Sequence, residues 1–151
     1  MLSDALIDTN VFAHASNPGV QYYEDSKSFL NAFRACNTLL CIDGDNGSLI
    51  AKEYSSQLHS GMLGFAVLVH LAQTRRVKTI SRKVTPQQAR QVKLLKLKKP
   101  RDETFVRVAL NSDESIFVSH DFQDFPQQKR ATIMTDLGVD IVDAAEGRSR
   151  L

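Results

Sequence analysis

Asp8, Glu53, Asp102 and Asp121 are the residues of this chain whose types and settings can do chemistry. Asp8 follows directly on the apolar run "ALI", and Asp121 closes a second apolar run, "SIFVSHD". Carboxylates at the ends of two parallel strands point into one crevice, the place where open α/β sheets bind ligands. Glu53 shares a helical side with Ile50, Tyr54 and Gln57, so it faces partly inward, whereas a solubilising glutamate lies opposite the apolar stripe. Asp102 begins a helix just after Pro100. Each acid has a plain alternative role: Asp8 can cap a turn toward Asn10, Asp102 and Asp121 can cap helices, and Glu53 can pair with a lysine. Asp43 and Asp45, in the turn-rich "DGDNGS", read the same way. Converging carboxylates without a cation would repel one another and shift their pKa values sharply, and a bound divalent metal resolves that repulsion. An all-oxygen set suits Mg2+ or Mn2+, whose remaining ligands are waters and phosphate oxygens. Such a centre hydrolyses phosphodiesters, because the metal acidifies a bound water and steadies the phosphate charge.

The elements that must position these acids alternate. "ALID", "TLLCI", "VKTI", "SIFVSHD" and "VDIV" read as short strands. "SKSFLNAFRAC" (26–36), "LIAKEYSSQL", "MLGFAVLVHLAQ", "DETFVRVAL" and part of "QDFPQQKRATIMTDLG" read as helices. "TPQQARQVKLLKLKK" opens on Thr85, Pro86 and Gln88, a capping box with proline at the first turn, and is expected to run as a basic helix to about Lys99, where Pro100 stops it. The pattern predicts a three-layer α/β/α sandwich on a four- or five-stranded, mainly parallel sheet. One domain is expected over 1–143, with a loosely ordered tail at 144–151.

Composition narrows the partners. The 151 residues are 42% hydrophobic and 24% charged, with no apolar stretch of membrane-spanning length, so no membrane association is expected. Cys36 and Cys41 lack zinc-type spacing and suit reduced core thiols, and the acidic N-terminus is a poor export signal; both point to a cytoplasmic protein. The net charge of +2 hides an asymmetry. Residues 75–101 hold eleven Lys or Arg and no Asp or Glu, set on a body with eight basic and seventeen acidic residues. Arg75, Arg76, Lys78, Arg82, Lys83, Arg90 and Lys93 are therefore candidates to hold a nucleic-acid backbone beside the acidic pocket. A module that binds nucleic acid through this segment without catalysis is the alternative reading.

Across "LIDTNVF", "SLIAKEY", "DETFVRVAL" and "FVSHDFQDF", in that order and over nearly the whole chain, the sequence resembles the PIN-domain family of metal-dependent nucleases. The resemblance implies that Asp8, Glu53, Asp102 and Asp121 bind one or two Mg2+ or Mn2+ ions. Asn10 and Ser119 would orient ligands or the attacking water, and Asp124 would be a peripheral acid. It implies endonucleolytic cleavage of RNA leaving 5′-phosphate and 3′-hydroxyl ends. Many small PIN proteins are toxins of toxin–antitoxin pairs, so a small antitoxin and a homodimer are expected partners. The basic segment is longer than in the commonest short toxins, and Glu103 offers a second carboxylate next to Asp102. His120 is expected at the rim without a partner, and Tyr22 and Tyr23 lie in a polar loop where a nucleotide could stack.

Overall fold

The computed structural model describes all of residues 1–151. Strand β1 (Asp4–Ile7) is buried throughout and leads within one residue into a short helix, α1 (Thr9–His14). Then follow α2 (Tyr23–Ala35), β2 (Leu39–Asp43), α3 (Leu49–Gln57), α4 (Leu63–Gln73) and β3 (Val77–Ile80). The second half comprises α5 (Pro86–Leu94), α6 (Pro100–Asn111), β4 (Ile116–Val118), α7 (Gln127–Leu137), β5 (Asp140–Val142) and α8 (Ala144–Ser149). All strand pairs are parallel, in the order β3-β2-β1-β4-β5, which is a three-layer α/β/α sandwich.

The order fixes where a site can lie. The chain moves outward from β1 to β3 and then returns to lay β4 on the other side of β1, so the crossovers diverge between the carboxyl ends of β1 and β4. Leu6 pairs with Phe117 and Ile7 with Val118 at that seam. All buried apolar side chains form one cluster, with Phe12, Phe29, Phe33, Phe105, Phe117 and Phe125 its largest members, as one domain requires. Both cysteines are free thiols, and no helix is long and apolar enough to cross a membrane.

Two expectations are corrected. The basic helix α5 has its capping box at Thr85 and Gln88 but stops at Leu94, short of Lys99. Its last residue, Leu94, is largely exposed, and Lys96 adopts a left-handed backbone with φ 50°, which an α-helix cannot continue through, while Leu95 and Leu97 turn to the core. Pro100 is therefore the first residue of α6 and not merely a stop. The tail 144–151 is ordered instead of loose. Asp143 caps α8 by accepting from the Glu146 N–H at 2.8 Å, and Arg150 pairs with Asp140 at 2.7 Å. Ala144 and Gly147 let α8 press on α2 and β4: a Cβ at Gly147 would stand 3.1 Å from Val118 and 3.2 Å from Phe29.

Close approach also sets α1, the helix that follows Asp8, against α4. A Cβ at Gly64 would stand 2.5 Å from the Phe12 carbonyl oxygen, a backbone atom that cannot swing away. Gly64→Ala should cost about 1–3 kcal/mol through this overlap. A thermal melt would read the loss as a fall of several degrees, and an unchanged midpoint would refute the close packing.

Candidate metal centre

Asp8 stands at the N-cap of α1, yet its carboxylate makes no capping hydrogen bond. Its N–H donates to the Val118 carbonyl at 2.8 Å, extending the β1–β4 ladder by one residue. Its Oδ2 accepts from Ser119 Oγ at 2.7 Å, and Ser119 Oγ in turn accepts from the Asp121 N–H at 3.0 Å. This relay ties the end of β4 to the end of β1. The Asn10 side-chain oxygen adds a longer link, accepting from the His120 N–H at 3.3 Å.

Asp102 arrives from above the sheet. With Pro100 opening α6, Asp102 falls in the first turn, where the helix dipole favours an acid, yet it is buried. Its Oδ2 is enclosed without any hydrogen-bond partner. Asp121 Oδ1 accepts from the Asp124 N–H at 2.9 Å, which folds the loop after β4 back on itself. Asp102, Asp121 and Asp124 each bring one oxygen to within 4.8 Å of the others. Asp124, expected to be peripheral, thus belongs to the tightest group of acids. Asp8 and Glu53 stand outside that group and line the adjoining cleft together with Asn10, His14 and Arg101. Glu103 is only half-buried and takes no part in the group, so the buried acid of that pair is Asp102.

Electrostatics follow from burial without compensation. Burial, and then the charges of Asp124, Asp121 and Asp8, push the Asp102 carboxyl up to about 7. Burial also pushes Asp8 up to about 6, with Glu53 and Asp121 adding to the rise and the Ser119 hydrogen bond opposing it. Asp124 moves the other way, held below the usual carboxylate range by the Lys99 ammonium 2.8 Å from its Oδ2. Arg101 pairs with Glu53 at 2.8 Å. An enclosed oxygen with no donor, beside two more carboxylates, is what a hard cation would satisfy. The trio Asp102, Asp121 and Asp124 could hold a metal ion.

The basic segment does not form one continuous surface. Arg76 spends its guanidinium on the carbonyls of Phe33, Arg34 and Thr38. Lys78 binds Asp4 at 2.9 Å and Asp113 at 2.7 Å, groups that lie by the amino end of β1 and the loop leading into β4. Arg82 is 3.4 Å from Asp43, which itself caps α3 by accepting from the Leu49 and Ile50 N–H groups, and Asp45 accepts from the Arg82 and Ser81 donors. These acids come from distant sequence, so Lys78 and Arg82 are balanced within the fold. Arg75, Lys83, Arg90 and Lys93 remain exposed. The cations that reach the acidic site are Lys99 and Arg101, which sequence reasoning did not single out; their place beside Pro100 and Asp102 was the available signal.

His120 is likewise corrected from a solitary rim residue to a buried one. Its Nε2 accepts from the Ala144 N–H at 3.1 Å, its Nδ1 lies 3.3 Å from both His14 Nδ1 and Ser26 Oγ, and Tyr22 stacks on its ring.

No family model, curated protein or solved structure matches the chain.

Asp8 and Asp102 bind protons more tightly in the fold than in the unfolded chain. The metal-free protein should therefore lose stability as pH rises from about 6.5 to 8, where Asp102 finishes ionising; below that range the buried His120 ring, pushed down to about 4, opposes the trend. Thermal melts in a chelating buffer should fall by several degrees across that range. Asp102→Asn should flatten the decline, and manganese at pH 8 should raise the wild-type midpoint far more than the variant's. A pH-independent midpoint for the wild type would contradict the assignment.

Proposed function

We propose that this chain is a metal-dependent endoribonuclease of PIN type. One observation carries the reading: the enclosed, partnerless Asp102 Oδ2 lies beside Asp121 and Asp124 where the sheet's crossovers diverge. Asp102, Asp121 and Asp124 would hold Mg2+ or Mn2+, with Asp8 and Glu53 on the adjoining wall. The ion, when bound, supplies a water of lowered pKa and a positive charge for the scissile phosphate.

The chain's own residues do the positioning. Ser119 donates to the Asp8 carboxylate while accepting from the Asp121 backbone N–H, and the Asp121 carboxylate is held in turn by the Asp124 N–H. Lys99 and Arg101 neutralise Asp124 and Glu53 on the lip of the cleft, and each is nearly half exposed, so a phosphate can reach them. Arg90, Lys93, Lys96 and Lys98, all exposed, precede Lys99 in the chain and add positive charge to the segment that ends at that lip. A single-stranded backbone entering between them would meet cations first and the acids only at the cut. The same reading carries a cytoplasmic toxin, paired with a small antitoxin and acting as a homodimer; a short open reading frame adjoining this one would support that part.

Asp8→Asn and Asp121→Asn should each lower manganese-dependent cleavage of a single-stranded RNA by at least about a hundredfold, with the circular dichroism spectrum unchanged. Undiminished cleavage by purified Asp8→Asn would overturn the reading. Calorimetry that finds RNA binding but no manganese binding would favour the non-catalytic module instead. Arg101→Ala should weaken RNA binding several-fold in low salt and lose that effect in high salt, as a phosphate contact does.

A further inference from the structure

Beside the acidic cleft, aromatic rings gather from three separate parts of the chain. Tyr22 is the residue that precedes α2, His14 ends α1, and His120 and Phe122 flank Asp121. Tyr22 stacks on the buried His120 ring at 4.4 Å with an interplanar angle of 24°, and His14 lies 5.8 Å from Tyr22 at 26°. Phe122 is 5.9 Å from Tyr22, tilted by 36°. Its ring is backed by the Arg130 guanidinium at 4.2 Å. That guanidinium is itself immobile, since Arg130 is buried and donates to the carbonyls of Phe125 at 2.7 Å and Ser119 at 3.0 Å.

Phe122 nevertheless remains 37% exposed, and Tyr22 is only half-buried. The core gains little from either exposed part. Two partly exposed rings, each held by a buried partner, make a ledge. It adjoins Asp121 in the chain, and His14 reaches from it into the cleft that Asp8 lines. A flat apolar ledge bordering a polar, cation-lipped cleft fits a group that is flat and apolar on its faces and anionic at its tether, which describes a nucleotide.

We infer that Tyr22 and Phe122 form a stacking subsite for one unpaired nucleobase next to the scissile phosphate. The inference rests on the nuclease reading and deepens it to a substrate class. A base inside a duplex keeps both faces covered by its neighbours and cannot reach the ledge, so the subsite selects single-stranded RNA. His120, buried, and His14, bordering the cleft, support Tyr22 and need no change of charge in this role. Because Arg130 grips the carbonyl of Ser119 as well as the Phe122 ring, a base settling on Phe122 presses on the segment that carries Asp121.

The chain contains no tryptophan, so Phe122→Trp installs a single fluorescent reporter in the ledge while keeping an aromatic face. The probes are a mixed-sequence single-stranded RNA dodecamer, the same strand annealed to its complement, and a dodecamer of abasic nucleotides. Titrations run with calcium, and cleavage is scored separately with manganese. The single strand should quench the tryptophan strongly and the abasic strand should not, while the duplex should bind only weakly. In the wild-type background, Tyr22→Leu should weaken dodecamer binding about tenfold, and Tyr22→Phe should not. Equal quenching by the abasic strand, or Tyr22→Leu binding as tightly as wild type, overturns the subsite. Cleavage by manganese without quenching removes the subsite and leaves the nuclease; base-dependent quenching without any cleavage removes the nuclease and leaves a base-binding ledge. Phe122 and Tyr22 both touch solvent, so the variants fold, and a circular dichroism melt verifies this.

Discussion

A two-residue register, Leu6 opposite Phe117 and Ile7 opposite Val118, decides where every acid of the centre stands. Side chains alternate along a strand, so a slip of one residue would turn Asp8 into the sheet's flank and Ser119 away from it. The register is enforced on both sides. Apolar Ile7 and Val118 are buried to nothing, and the Asp8 N–H bond to Val118 extends the ladder into the site itself. The hydrogen bonds from Ser119 to Asp8 and from Asp121 to Ser119 then transmit the strand pairing to the carboxylates.

The same strand shows what the site leaves undone. Asp4 and Asp8 bracket the buried run "ALI", and both are buried in turn. Burial alone would push Asp4 up, but Lys78 and the N–H groups of Asp113 and Glu114 outweigh it and hold the carboxyl below its usual range. Asp8 receives a single hydroxyl and no cation in contact, and it stays high. One end of β1 is a solved electrostatic problem; the other is an open one, joined by Asp102 across the crevice. Desolvated acids without partners cost a fold stability, and their concentration at one end of the sheet marks that end as the place where something other than folding sets the sequence.

Much of the architecture was legible because β1, β2 and β4 are uninterrupted apolar runs and the helices carry a regular period. Asp8, Asp102 and Asp121 were legible as acids at element ends. Asp124 was misread because its place depends on a loop that turns back through the Asp121 side chain, a contact no periodicity encodes. Arg76, Lys78 and Arg82 of the basic run are engaged inside the fold for a related reason. The run's counter-charges, Asp4, Asp113, Asp43 and Asp124, lie far away in sequence and come near only after folding. The tail looked loose because seven of its eight residues are small or polar, yet small size is what lets α8 pack where a Cβ at Gly147 would crowd Val118 and Phe29.

That last helix has a consequence during synthesis. The central strand β1 is made before β4, and Ser119, the partner of Asp8, follows it by 111 residues. The ring of His120, adjoining Asp121, is then pinned by the N–H of Ala144, a further 24 residues along. At a translation rate of roughly 5–20 residues per second, the acids are apart for several seconds. The acidic centre forms only once β4 and the loop after it are free to pair with β1.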